Sequence, residues 1–123
     1  MRFSIKHLYV RRESDKLIVA FQPLTEVKTR LVDVGLVLDF NEYGDVNGIE
    51  IISIKHYGGP NLFEGCEHAP INSRVGTRFS YDEEEDAFSL ELEEGSSPNQ
   101  KAVDGKLVLD PEGRLVGLEA ELN

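Results

Sequence analysis

His56, Cys66 and His68 are the residues of this chain best suited to bond making or metal binding. A Cys-x-His pair with a second imidazole upstream offers up to three zinc ligands. The same trio offers a thiol and an imidazole for nucleophilic attack. Glu64 and Glu67 stand beside them. The spacing matches no paired C-x2-C pattern, and two His and one Cys in a loop arise readily by chance. The plainer reading is a solvated loop.

Two acidic patterns come next. Asp39-x-Asn41-x-Tyr43-Gly44, followed by Glu50, fits most of a calcium-loop pattern, but Tyr43 stands where Asp or Asn is wanted. Hairpin turns favour the same Asp, Asn and Gly, because these tolerate positive φ and bond locally. Asp82-Glu83-Glu84-Glu85-Asp86 is a run of five acids. It has the oxygen atoms for a hard cation, yet such a run is more often a solvated turn. Gly58-Gly59-Pro60 lacks the Lys-Ser/Thr and the helix of a phosphate loop. No cofactor is expected.

Charge narrows the partners. The chain of 123 residues has a net charge of −10, which disfavours nucleic acid and an anionic membrane surface. Residues 1–30 hold seven Lys/Arg against three Asp/Glu, net +4, and the remainder carries −14. A basic start and an acidic remainder suit internal neutralisation, a homodimer or a protein partner. Arg11 and Arg12 on one side and Asp82, Glu83, Glu84, Glu85 and Asp86 on the other are the candidate contact residues. Cys66 is the only cysteine, so no internal disulfide forms, and no apolar run approaches a membrane helix. A signal peptide is not expected, since Lys6, Arg11 and Arg12 interrupt the N-terminal apolar residues. The expected location is cytoplasmic.

The elements that must hold these residues read as strands. Leu107-Val108-Leu109-Asp110, a turn at Gly113, and Leu115-Val116-Gly117-Leu118-Glu119 outline a hairpin. Leu36-Val37-Leu38-Asp39, Gly44 and Val46-Asn47-Gly48-Ile49-Glu50 form its twin. Val32-Asp33 and Val103-Asp104 extend the match at an offset of 71, and Val10 to Phe21 aligns with Tyr81 to Leu92 at the same offset. Phe88, Leu90 and Leu92 alternate with Ser89, Glu91 and Glu93, as in a strand with one wet face. Arg11 to Lys16 reads as a turn, and no long period-3.6 pattern occurs. Gly48 and Gly117 inside strands suggest bulges or close backbone approach.

The second copy resembles the domain of unknown function 2283 family. The resemblance lies in Tyr81-Asp82-x-Glu84-x-Asp86-Ala87-Phe88, Val103-Asp104-Gly105-Lys106-Leu107-Val108-Leu109-Asp110 and Gly113-Arg114-Leu115-Val116-Gly117-Leu118-Glu119. It covers most of residues 77–122 and, more weakly, residues 8–54. Arg11-Arg12 stands in the first copy where the family has an acidic turn. The resemblance implies a small β-rich fold and no assigned activity. Some members are similar to small proteins encoded beside putative toxins, which implies an inhibitor-like binding role as one option. No catalytic residue is carried over.

The expected fold is therefore all-β. It is an internally duplicated four-stranded antiparallel β-meander, its two copies packed about a pseudo-two-fold axis as a sandwich or barrel. One domain comprises copy one (1–54), an irregular connector (55–76) and copy two (77–123). The leading functional expectation is a non-enzymatic protein-interaction module. The competing one is a small hydrolase or metal-dependent enzyme built on the connector.

Overall fold

A computed structural model describes residues 9–21, 28–59, 61–63, 78–93 and 95–122. Among these residues, eight strands form one antiparallel sheet that curls into a half-barrel. They are β1 (Tyr9–Glu13), β2 (Lys16–Ala20), β3 (Arg30–Phe40), β4 (Val46–Ile52), β5 (Arg78–Asp82), β6 (Ala87–Glu91), β7 (Asn99–Leu109) and β8 (Leu115–Glu121). A short helix, α1 (Ile54–Gly58), follows β4.

The strand order is β1-β2-β8-β7-β3-β4-β6-β5. This corrects the expected meander: β2 pairs with β8 rather than β3, and β6 pairs with β4 rather than β7. Each half contributes two hairpins, and these interleave with those of the other half. Nor are there two separate sheets, because β3 and β7 join the halves through an eleven-residue ladder from Arg30↔Leu109 to Phe40↔Asn99. Exchanging β1–β4 for β5–β8 turns the order into its own reverse. The exchanged strands match in length, at 5, 5, 11 and 7 residues.

Turn chemistry explains where the hairpins fall. Asn41 Oδ1 accepts hydrogen bonds from the Tyr43 and Asp45 amides at 2.9 and 3.0 Å. Asp110 Oδ1 accepts from the Glu112 and Arg114 amides, both at 2.9 Å. Each is an Asx turn that leads to a positive-φ glycine, Gly44 or Gly113. The positional counterpart of Asp110 is thus Asn41, 69 residues earlier, and not Asp39 as the aligned identities suggest. Only β2 and β6 correspond at the offset of 71, because the acidic turn after β5 is two residues longer than Ser14-Asp15 after β1. Arg11 and Arg12 therefore lie within β1, not in a turn.

The alternation of each strand builds a single core. Leu17, Val19, Leu107, Leu109, Leu118 and Ala120 from one end of the order meet Leu36, Leu38, Ile49, Ile51, Phe88 and Leu90 from the other. Burying each large aliphatic side chain stabilises by about 1.5–3 kcal/mol. Ile54, Leu62 and Phe63 fill the open side of the curl, each at most 2% exposed.

Candidate functional site

The connector holds core residues where a site was expected. Phe63 packs on Tyr81 at 4.6 Å and on Phe88 at 6.2 Å between ring centroids. The Leu62 carbonyl accepts the Leu115 amide at 2.8 Å. His56 is exposed on α1, edge-on to Tyr57. Cys66 and His68 lie outside the described residues, so the trio is neither assembled nor separated here. Among the described residues, no group of three or more His, Cys, Asp or Glu is placed to hold a metal ion.

The acidic turn divides into two roles. Asp82 Oδ1 accepts the Glu84 amide at 2.9 Å and the Glu85 amide at 3.3 Å, which folds the turn back on itself. Asp86, at φ +52, clasps the helix to the hairpin. Its carboxylate accepts the Tyr81 hydroxyl at 2.6 Å and the Lys55 amide, while its carbonyl accepts the Ser53 amide at 2.7 Å. Burial, then the bond to Asp86, pushes the Tyr81 phenol well above its usual value. Lys55 Nζ sits 5.2 Å from the Tyr81 ring, a weak cation–π contact. Glu83, Glu84 and Glu85 remain exposed.

The calcium-loop reading fails on geometry. Asn41 is spent on its own turn, Tyr43 is 81% exposed, and Asp39 reaches across the sheet. Gln100 Nε2 donates to Asp39 Oδ1 at 2.7 Å and to Glu50 Oε2 at 3.0 Å. Burial first, then the neighbouring Asp39 carboxylate, raises the Glu50 carboxyl above its ordinary value. The positions that correspond at 69 residues are Val108, Leu31 and Glu119, so the other half lacks this polar clasp. Sequence reading missed the trio because Gln100 arrives from another strand through the β3–β7 ladder. Beside it, a shallow groove of about 440 Å³ runs over Gly35, Val37 and Ala102, edged by Glu50, Ile52, Asp104 and Glu121.

The remaining candidates sit on the two sheet edges. β1 and β5 end the strand order, and among the described residues neither has a second neighbouring strand. Arg11 Nη2 pairs with Glu13 Oε1 at 2.9 Å within β1, both side chains exposed. Arg12 is exposed as well. The acidic turn adjoins β5 at the far edge. Basic and acidic candidates are thus placed at opposite ends of the strand order, and among the described residues no ion pair joins them. No family model matches the chain, and neither a curated protein nor a solved structure matches it. Among the described residues, no helix is long and apolar enough to cross a membrane.

Proposed function

We propose that this chain is a non-enzymatic protein-interaction module that binds through the edges of its sheet. The observation carrying this reading is that, among the described residues, β1 and β5 end the strand order with no second neighbouring strand, with Arg11 and Arg12 on β1 and the acidic turn following β5. An edge strand presents free amide and carbonyl groups to an extended partner segment, and the flanking charges select that segment. Arg11 and Arg12 mark one edge; Asp82, Glu83, Glu84 and Glu85 mark the other. The net charge of −10 supports protein partners over nucleic acid or an anionic membrane surface. The hydrolase or metal-enzyme reading gains no observation in its favour, since only His56 of its trio is described.

The same proposal includes the internal duplication. Its support is the strand order that reverses on exchange, the matched strand lengths and the paired Asx turns. The resemblance to the domain of unknown function 2283 family belongs here too, contributing a β-rich fold and no activity.

The test is chemical cross-linking of the purified protein in extract of its source cell, with the linked residues mapped. Links concentrated at residues 9–16 and 78–86 support the reading. No captured protein, or links confined to other faces, would sink it.

A further inference from the structure

We infer that Asp39, Glu50 and Gln100 form a proton-operated clasp, which holds the start of β7 against β3 in acid and loosens it as the pH rises. The three residues come from three adjacent strands. Asp39 lies directly opposite Gln100 in the β3–β7 ladder, and Glu50 lies opposite Val37, the next residue on the same face of β3. Gln100 Nε2 donates to Asp39 Oδ1 at 2.7 Å and to Glu50 Oε2 at 3.0 Å. One neutral amide nitrogen thus serves two carboxylates. It has a hydrogen for each and no charge to offset theirs. With both acids ionised, two anions repel across the shared donor. With one protonated, that repulsion is gone and the new hydroxyl is a further donor in the cluster.

The surroundings supply no cation to take the place of the proton. The charged groups on the elements around Glu50 are Asp39 on β3, Glu91 opposite Gly48 on β6, Lys101 and Asp104 on β7, and Glu121 on β8. Four of the five are acids. Lys101 stands opposite Leu38, so the alternation of β7 turns it away from Gln100. Among the described residues, no ion pair joins it to Asp39 or Glu50. Burial, and then the Asp39 carboxylate, keeps the proton on Glu50 to higher pH than usual. The start of β7 has little else to hold it. β8 pairs with β7 only from Gly105 to Leu109, so residues 99–102 have β3 on one side and, among the described residues, no strand on the other. Asn99, Gln100, Lys101 and Ala102 are all exposed. The equivalent positions at the far end of the ladder are Val108, Glu119 and Leu31, which cannot make this cluster, so the pH response belongs to one end only. Such an end opens locally while the rest of the sheet stays shut.

The experiment is amide hydrogen exchange of the full chain, followed by NMR across a series from about pH 4 to about pH 8. Each rate is divided into its intrinsic unfolded value at the same pH, which removes the pH dependence of exchange itself. In wild type, the ladder amides of residues 99–102 are expected to lose about two- to tenfold in protection as pH rises, the scale of one side-chain hydrogen bond. Those of residues 105–109 are expected to keep theirs, which shows that the sheet remains folded. Glu50→Gln removes the titrating group and is expected to leave residues 99–102 protected at every pH. Gln100→Ala removes the shared donor and is expected to lower their protection throughout the series. Wild-type protection at 99–102 that is flat with pH overturns the inference. So does a Glu50→Gln protein that keeps the wild-type response. A fall shared equally by residues 105–109 overturns it as well, because the response would then be global stability and not a local clasp.

Discussion

Replacing Gly117 by alanine tests the way the two halves interlock. A Cβ at Gly117 would stand 2.8 Å from the Val19 carbonyl oxygen and 3.6 Å from the Val108 Cβ. That oxygen belongs to backbone in the β2–β8 ladder, so it moves only if the ladder moves. The Phe21 amide bond to the Val116 carbonyl, 2.9 Å long, lies at the same joint. Overpacking of this kind costs about 1–3 kcal/mol. Removing a glycine from the unfolded chain returns about 0.4–1 kcal/mol. The net loss is therefore about 1–2 kcal/mol, a fall in Tm of roughly 4–10 °C at this chain length. Gly35→Ala is the control, because nothing lies within 4 Å of its added Cβ. It is expected to be neutral or to stabilise by up to about 1 kcal/mol. Gly48→Ala falls between them, since its Cβ would meet the Asp39 carboxylate at 2.7 Å. That carboxylate can swing away at the cost of its Gln100 bond. Urea denaturation with a common slope gives the order directly. A Gly117→Ala protein as stable as Gly35→Ala would refute the interleaved β2–β8 packing.

Four further predictions follow from the same contacts. Asp110→Ala removes the acceptor for two amides and the Arg114 guanidinium at a 6%-exposed position, and is expected to cost about 2 kcal/mol by calorimetry. Asp110→Asn keeps the turn that Asn41 already makes and should lose clearly less. Burial pushes the Asp110 carboxyl up, but the Arg114 and Glu112 bonds outweigh burial and hold it below its ordinary 3.8. Its stabilisation is thus present above pH 3.8 and lost as pH falls through the folded value, so the wild-type advantage over Asp110→Ala should shrink there in acid titrations. Glu50 works the other way. The folded carboxyl keeps its proton to higher pH than the unfolded one, ordinarily 4.5, so its contribution is full below that value and fades as pH rises. Glu50→Gln should therefore be more stable than wild type at neutral pH, with the gap closing in acid; an equal gap at both ends of the melt series counts against the Asp39–Glu50 contact. Phe63→Ala should cost about 3–5 kcal/mol, because its ring packs on Tyr81 and Phe88 inside the core. A loss below about 0.5 kcal/mol, the scale of exposed substitutions, would return the connector to the outside of the fold.

Several parts of the molecule were legible from residue order alone. The alternation of Phe88 and Leu90 with Ser89 and Glu91 marks β6, and Asp110 with Gly113 marks the turn between β7 and β8. These signals are local: burial on one face, and a side chain that bonds its own backbone. The polar start of β7, Asn99-Gln100-Lys101, reads as loop because no apolar residue alternates there. It becomes strand only because β3 lies beside it to take up its backbone bonds. Leu62 and Phe63 were hidden for a similar reason. They sit among turn residues without periodicity, and their burial depends on the open side of the curl.

The candidate site shows the same division. Arg11, Arg12 and the acids from Asp82 to Asp86 are candidates on charge alone. The roles of Asp86 as a clasp and of Asp39, Glu50 and Gln100 as a cross-strand cluster needed tertiary placement. The sequence by itself determined strand-forming segments, the turn at Asp110–Gly113, the alternation of apolar and polar residues and the uneven charge. Only the tertiary structure decided that the halves interleave into one sheet, because pairing between distant strands depends on backbone ladders and shared burial. It also decided that the two charged candidates end at opposite edges, because strand order is set by which apolar faces must meet in the single core.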